Sequence, residues 1–115
     1  VSKTLSELKE VQRNFDLEHT GNKKPFYIDI DEGNLQELEH LAVCLAGEVG
    51  EFCNILKKIT RGDFSWNSSK AILSEELADI FIYLLKISNQ TNIDIEEETI
   101  KKIKKNETRF QVKLK

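Results

Sequence analysis

Two pairs of acids set three residues apart, Glu48 with Glu51 and Glu76 with Asp79, are the groups in this sequence best suited to chemistry. The first pair lies in LAVCLAGEVGEF and the second in SEELADIFIYLL, both apolar runs. On a helix, residues i and i+3 have Cβ atoms roughly 5–6 Å apart, so each pair shows two carboxylates on one face. At about 100° per residue, Glu48 falls beside Leu41, Leu45, Phe52, Ile55 and Ile59, and Glu51 just outside that stripe. Glu76 falls beside Ile80 and Ile87, and Asp79 at the border near Ile72 and Tyr83. Carboxylates at the edge of a core need a compensating cation or donor. Lys57, Lys58 and Lys86 are the cations close in sequence; the helical wheel lets Lys58 approach Glu51 but turns Lys57 and Lys86 away from Glu48 and Glu76. Four hard oxygen donors without an adequate organic counter-charge point to Mg2+, with Mn2+ as a substitute. The competing reading is four acids that are solvated on ordinary amphipathic helices or paired with lysines.

Helices must position these acids, and the chain supplies four. Residues 4–18 open on Thr4-Leu-Ser-Glu7, which fits a capping box, and continue with Leu5, Leu8, Val11 and Phe15 at helical spacing. Residues 19–33 read as a loop with a short extended piece, whose aromatics either line a ligand pocket or dock the loop on the helices. Asn34-Leu-Gln-Glu37 reads as the cap of the longest helix, Leu35 to Ile59, where Gly47 and Gly50 leave room for another backbone or a ligand. Arg61-Gly-Asp63 closes it, and Phe64 to Ser69 reads as a connection whose Trp66 either stacks on a base or anchors the core. Residues 70–89 form a third helix, apolar around most of its circumference from Leu77 to Ile87. Such a helix is buried, which predicts a homodimer or higher oligomer. Asp94-Ile-Glu-Glu97 caps a fourth helix with Ile100, Ile103 and Phe110 inward. Its Lys102, Asn106 and Arg109 form a polar stripe that either tracks the oxygens of a polyphosphate or faces water. The pattern predicts one all-α domain over residues 1–115, a four-helix bundle completed by dimerisation or tetramerisation.

The net charge of −3 hides an asymmetry: residues 101–115 carry seven Lys or Arg against one acid, and residues 1–100 ten against nineteen. An acidic body with a basic end does not suit a duplex-binding protein, which spreads basic residues over a groove-facing surface. The helix macrodipole accounts for part of that asymmetry. No run approaches the roughly 18 apolar residues of a membrane span, and the first residues lack a signal-peptide core. Cys44 and Cys53 fall half a turn out of phase and are expected to be unpaired packing residues. The expectation is a cytoplasmic protein with no membrane partner. No phosphate-binding glycine loop, dinucleotide fingerprint or zinc pattern occurs.

Glu48-x-x-Glu51 followed by Glu76-x-x-Asp79, with LAGEVGEF and EELADIFIYLL around them, resembles the MazG-like all-α nucleoside triphosphate pyrophosphohydrolases. IDIEEETIKKIKKNETRF is similar to that family's final helix, in which a Lys, an Asn and an Arg precede an aromatic. The resemblance implies a four-helix fold assembled as a dimer or dimer of dimers. It also implies Mg2+-dependent hydrolysis of ribo- or deoxyribonucleoside triphosphates to monophosphate and pyrophosphate, for nucleotide-pool housecleaning or deoxynucleotide control. By position, it makes Glu48, Glu51, Glu76 and Asp79 the metal ligands and catalytic acids, and Lys102, Asn106 and Arg109 the phosphate or sugar contacts. His40 and Trp66 match positions near the nucleobase in the deoxycytidine-triphosphatase-like branch. Two other classes compete. A di-iron protein needs two Glu-x-x-His pairs, and Glu37-x-x-His40 is the single one present. A non-enzymatic helical interaction module would leave the four acids as a vestigial site.

Overall fold

The computed structural model of the protein describes residues 1–110; Lys113 and Lys115, the last of the basic segment, lie outside the described residues. Its helices are α1 (Leu5–Glu18), α2 (Leu35–Thr60), α3 (Trp66–Thr91) and α4 (Ile95–Arg109). Between α1 and α2 sits an antiparallel hairpin of β1 (Thr20–Gly21) and β2 (Lys24–Pro25). Asn22 and Lys23, at φ 51° and 66°, make its turn, and positive φ at both central residues matches the twist of a tight hairpin. The loop expected over residues 19–33 is therefore a small hairpin followed by an irregular strap.

Local chemistry sets most helix ends. Thr4 Oγ1 accepts from the Glu7 N–H at 3.1 Å and Glu7 Oε1 from the Thr4 N–H at 2.9 Å, closing the expected capping box. Asp94 caps α4 through the Glu97 N–H at 3.0 Å. Asn34, by contrast, does not cap α2. Its Oδ1 accepts from the Asp31 N–H and its Nδ2 donates to the Asp29 carbonyl, so the side chain is spent on the preceding strap. The link between α2 and α3 is also shorter than expected, because Ser65 Oγ accepts from the Ser68 N–H and starts α3 at Trp66. Gly62, at φ 90°, reverses the chain between the two helices.

The α2–α3 hairpin is the main packing unit and α1 lies on α3, whereas α4 makes no extended packing with any other helix. One buried ion pair joins α1 to α3. Asp16 is fully buried and its Oδ1 accepts from Lys86 Nζ at 2.8 Å and Gln12 Nε2 at 3.0 Å. Lys86 thus turns away from Glu48 and Glu76, as the wheel expects. Gln90 fastens the strap: its Nε2 donates to the Phe26 carbonyl, its Oε1 accepts from the Ile28 N–H, and its carbonyl accepts from the Ile30 N–H. Phe26 packs so closely over Gly21 that a Cβ there would come within 2.6 Å of its ring.

Among the described residues the buried apolar side chains are Leu41, Leu73 and Leu85. Leu77, Phe81, Ile82 and Leu84 of α3 remain exposed, which fits the expectation that this helix exceeds what one chain can cover. Ile100, Ile103 and Phe110, expected to point inward, are 49%, 52% and 65% exposed, because α4 departs from the bundle instead of folding back on it. The radius of gyration of 17.6 Å exceeds the roughly 13 Å of a compact domain this long. No helix among the described residues is long and apolar enough to cross a membrane.

Because no other cation among the described residues pairs with Asp16, Lys86→Met should destabilise the fold by about 3–5 kcal/mol, and Asp16→Leu with Lys86→Met should recover most of that. Urea denaturation checks it; a single variant as stable as wild type would contradict the role assigned to the pair.

Candidate metal centre

The short link makes α2 and α3 antiparallel neighbours, and this sets Glu48 opposite Glu76 and Asp79. One carboxylate oxygen from each lies within 4.8 Å of the other two, and all three side chains are half-buried. Glu51, exposed one turn along α2, completes the four and acts on both Glu48 and Glu76. Glu48 Oε2 and Glu76 Oε2 are buried and have no hydrogen-bond partner. No Lys or Arg among the described residues pairs with any of the four. Lys58, which the wheel allowed near Glu51, lies over the Phe64 ring at 5.4 Å.

The electrostatics follow from this crowding. Burial, then the charges of Glu51 and Asp79, pushes the Glu48 carboxyl above its ordinary value. Burial, followed by Glu51 and Glu48, pushes Glu76 up to about 7. Tyr83, one turn beyond Asp79, faces the same acids: burial first, then Cys44, Glu48 and Asp79, pushes its phenol up to about 12. Hard oxygen donors, two of them buried and unpartnered, with no protein cation beside them, fit a small divalent cation such as Mg2+ or Mn2+.

Tyr83 also lines a second feature, a cavity of about 440 Å3 between the hairpin, α2 and α3, walled by Phe26, His40, Leu41, Tyr83 and Lys86 among others. His40 therefore sits at a cavity next to the carboxylates, and its Nε2 lies 3.8 Å from Cys44 Sγ. The expectation that both cysteines pack holds partly for half-buried Cys44 and fails for Cys53, which is exposed. Glu37 pairs with Lys24 at 2.9 Å and lines the same cavity as His40, away from the carboxylate triple. Glu37-x-x-His40 thus contributes no ligand to the triple, and the di-iron reading falls. Trp66 is half-exposed at the start of α3, twenty residues before Lys86, or about 30 Å along the helix. Within one chain it does not share the cavity with His40. Lys102 and Arg109 are exposed on α4, Asn106 is half-buried, and Arg109 lies over the Phe110 ring at 4.9 Å. Within one chain none of these three is bonded to the carboxylates. Tyr83 and Lys86 are the site residues that the sequence pattern did not single out, although Tyr83 at i+4 from Asp79 carried the signal.

The α-helical hairpin sets Glu-x-x-Glu on one helix against Glu-x-x-Asp on the next, an all-α arrangement suited to a divalent cation. The chain belongs to the MazG family: the model of the MazG nucleotide pyrophosphohydrolase domain matches residues 36–112. It is similar to dCTP pyrophosphatase 1 of Mus musculus, 31% identical over 93 residues that cover 77% of this chain and 55% of that protein. The Homo sapiens protein of the same name is 28% identical with the same coverage. The chain thus spans about half the length of the curated relatives it matches. No solved structure matches it.

Glu76, raised from 4.5 to about 7, keeps a proton in the folded protein that the unfolded chain releases. Its contribution to metal-free stability is full below about pH 4.5 and is lost as pH rises through about 7. In EDTA, Tm of wild type relative to Glu76→Gln should therefore fall between pH 5 and pH 8. A difference that stays flat across that range would contradict the crowding described here.

Proposed function

We propose that the chain is a Mg2+-dependent nucleoside triphosphate pyrophosphohydrolase that releases nucleoside monophosphate and pyrophosphate, serving nucleotide-pool housecleaning or deoxynucleotide control. The observation that carries this reading is the pair of buried, unpartnered oxygens on Glu48 and Glu76, inside a family named for nucleotide pyrophosphohydrolysis. Glu48, Glu51, Glu76 and Asp79 would hold the ion. Bound Mg2+ supplies neutralisation of phosphate oxygens and a lowered pKa for the attacking water. The chain's own groups do the rest. Glu51, outside the triple that closes within 4.8 Å, would be the least committed of these four ligands and the one able to take the proton of the water that attacks the α-phosphorus. The bond from that phosphorus to the β-phosphate oxygen breaks, and pyrophosphate leaves.

Lys102, Asn106 and Arg109 would contact the phosphates or sugar in a homodimer or homotetramer. Two features support assembly: the exposed apolar faces of α3 and α4, and an open strip on α2, where, among the described residues, nothing beyond the helix's own neighbouring backbone lies within 4 Å of a Cβ placed on Gly47 or Gly50. A second copy covering these faces would bring an α4 to a carboxylate cluster. His40 is placed for a base in the adjacent cavity, and Trp66 would reach a base only from a neighbouring copy. The relatives named dCTP pyrophosphatase 1 make deoxycytidine triphosphate one substrate to offer.

With Mg2+ and a panel of nucleoside triphosphates, the products should be monophosphate and pyrophosphate; diphosphate and phosphate would place the attack at the γ-phosphorus and sink the mechanism. Glu48→Gln should remove more than about 99% of turnover while the protein stays folded. Arg109→Ala should lower kcat/KM by about ten- to a hundredfold, the worth of a charge-assisted hydrogen bond. An unchanged kcat/KM would take Arg109 out of the site.

A further inference from the structure

We propose that Lys86 is a specificity-determining residue: its ammonium donates to a carbonyl oxygen on the distal edge of the nucleobase, favouring bases with oxygen there over those with an amino group. The proposal rests on the nucleoside triphosphate reading above and extends it to the substrate class. Uracil, thymine, hypoxanthine and guanine carry such an oxygen; cytosine and adenine carry the amino group.

Tyr83 lines the cavity and also faces Glu48 and Asp79, so this one side chain links the cavity to the carboxylates. Lys86 is seven residues beyond Asp79 on α3, and His40 is eight residues before Glu48 on the antiparallel α2. At the helical rise these are about 10 Å and 12 Å from the carboxylates. Lys86 and His40 therefore stand level with each other at the cavity wall. A nucleotide whose phosphates meet the carboxylate cluster places its sugar near Tyr83 and its base against this level.

Some of the other polar side chains on that wall are already engaged. Gln90 spends its amide on Phe26 and Ile28, and Glu37 accepts from Lys24. Lys86 has capacity to spare. Its Nζ carries three donors and no acceptor. One donor goes to Asp16 Oδ1 at 2.8 Å. The rings of Phe26 and Tyr83 flank the ammonium at 5.0 Å and 6.0 Å. Its side chain is only 12% exposed and Asp16 is fully buried, so the ammonium is held in place and cannot swing into water. A carbonyl oxygen completes its hydrogen bonding. An amino group in the same place sets donor against donor in a desolvated wall, the arrangement that discriminates most strongly between analogues. Asp16 acts through Lys86 and is a positioning residue.

The uracil-to-cytosine exchange isolates this one atom. Binding of the non-hydrolysable α,β-imido analogues of dUTP and dCTP should be measured by calorimetry with Mg2+, beside turnover of dUTP and dCTP themselves. Wild type should favour the uracil nucleotide by about tenfold or more in both readouts. Lys86→Arg should keep the direction of that preference. The Asp16→Leu/Lys86→Met double variant, which removes both charges and leaves no buried ion, should bring the ratio to within about twofold while retaining its helical circular dichroism. A cytosine preference in wild type, or an unchanged ratio in the folded double variant, overturns the proposal. Selective binding without turnover would remove the hydrolase reading and leave the role of Lys86 standing. Binding of neither analogue overturns both.

Discussion

Glu48 and Glu76 face each other across the α2–α3 seam, each with one oxygen shut off from water and from every protein donor. Glu51 and Asp79 add their charges at the same place. Left alone, four acids in such a setting are desolvated and repel one another, which is why the Glu48 carboxyl is raised above its ordinary value and that of Glu76 is pushed up to about 7. A fold optimised only for stability would not place them there. The strain is intelligible if a divalent cation belongs among them, since an ion with an oxygen-only coordination preference removes the repulsion and satisfies the stranded oxygens together.

The rest of the chain is arranged around keeping that seam rigid and reachable. The α2–α3 hairpin, turned at Gly62, fixes the register that brings the two acid pairs level. The Asp16–Lys86 pair holds α1 to α3 through one of the few strong interactions this small core has, and Gln90 binds the strap over the end of α3. Both devices border the cavity beside the carboxylates. What the single chain fails to cover is equally informative: α3 and α4 leave broad apolar faces in water, and Lys102, Asn106 and Arg109 stand apart from the acids. Burial of those faces against another copy would cover that apolar surface and, on the proposed reading, bring the α4 residues to the acids.

Features set by short-range rules were legible in the sequence. The i, i+3 acid pairs, the capping box at Thr4, the N-cap at Asp94 and the surplus apolar surface of α3 follow from helical spacing or local hydrogen bonding, and the structure shows both caps, the exposed α3 face and three of the four acids together. Features set by distant partners were not. Asp16 meets Lys86 across 70 positions and Gln90 meets Phe26 across 64, separations at which a lone polar residue gives no local sign of burial. Asn34 and Ser65 show the limit of cap reading: either can serve a helix or a turn, and tertiary surroundings decided the first for the strap and the second for α3. Ile100, Ile103 and Phe110 have a regular apolar period that says they want a partner, and periodicity does not say whether that partner is in the same chain.

The central claim is that the four acids form one divalent-cation site, and Mn2+ binding followed by electron paramagnetic resonance tests it most directly. Free aqueous Mn2+ gives a sharp six-line spectrum that weakens on binding. Wild type is expected to quench that signal saturably, with Mg2+ restoring it by competition, while Glu48→Gln and Glu76→Gln proteins of native helical content leave it largely intact. A full free-Mn2+ signal in the presence of excess wild type, or equal quenching by the two variants, would contradict the site.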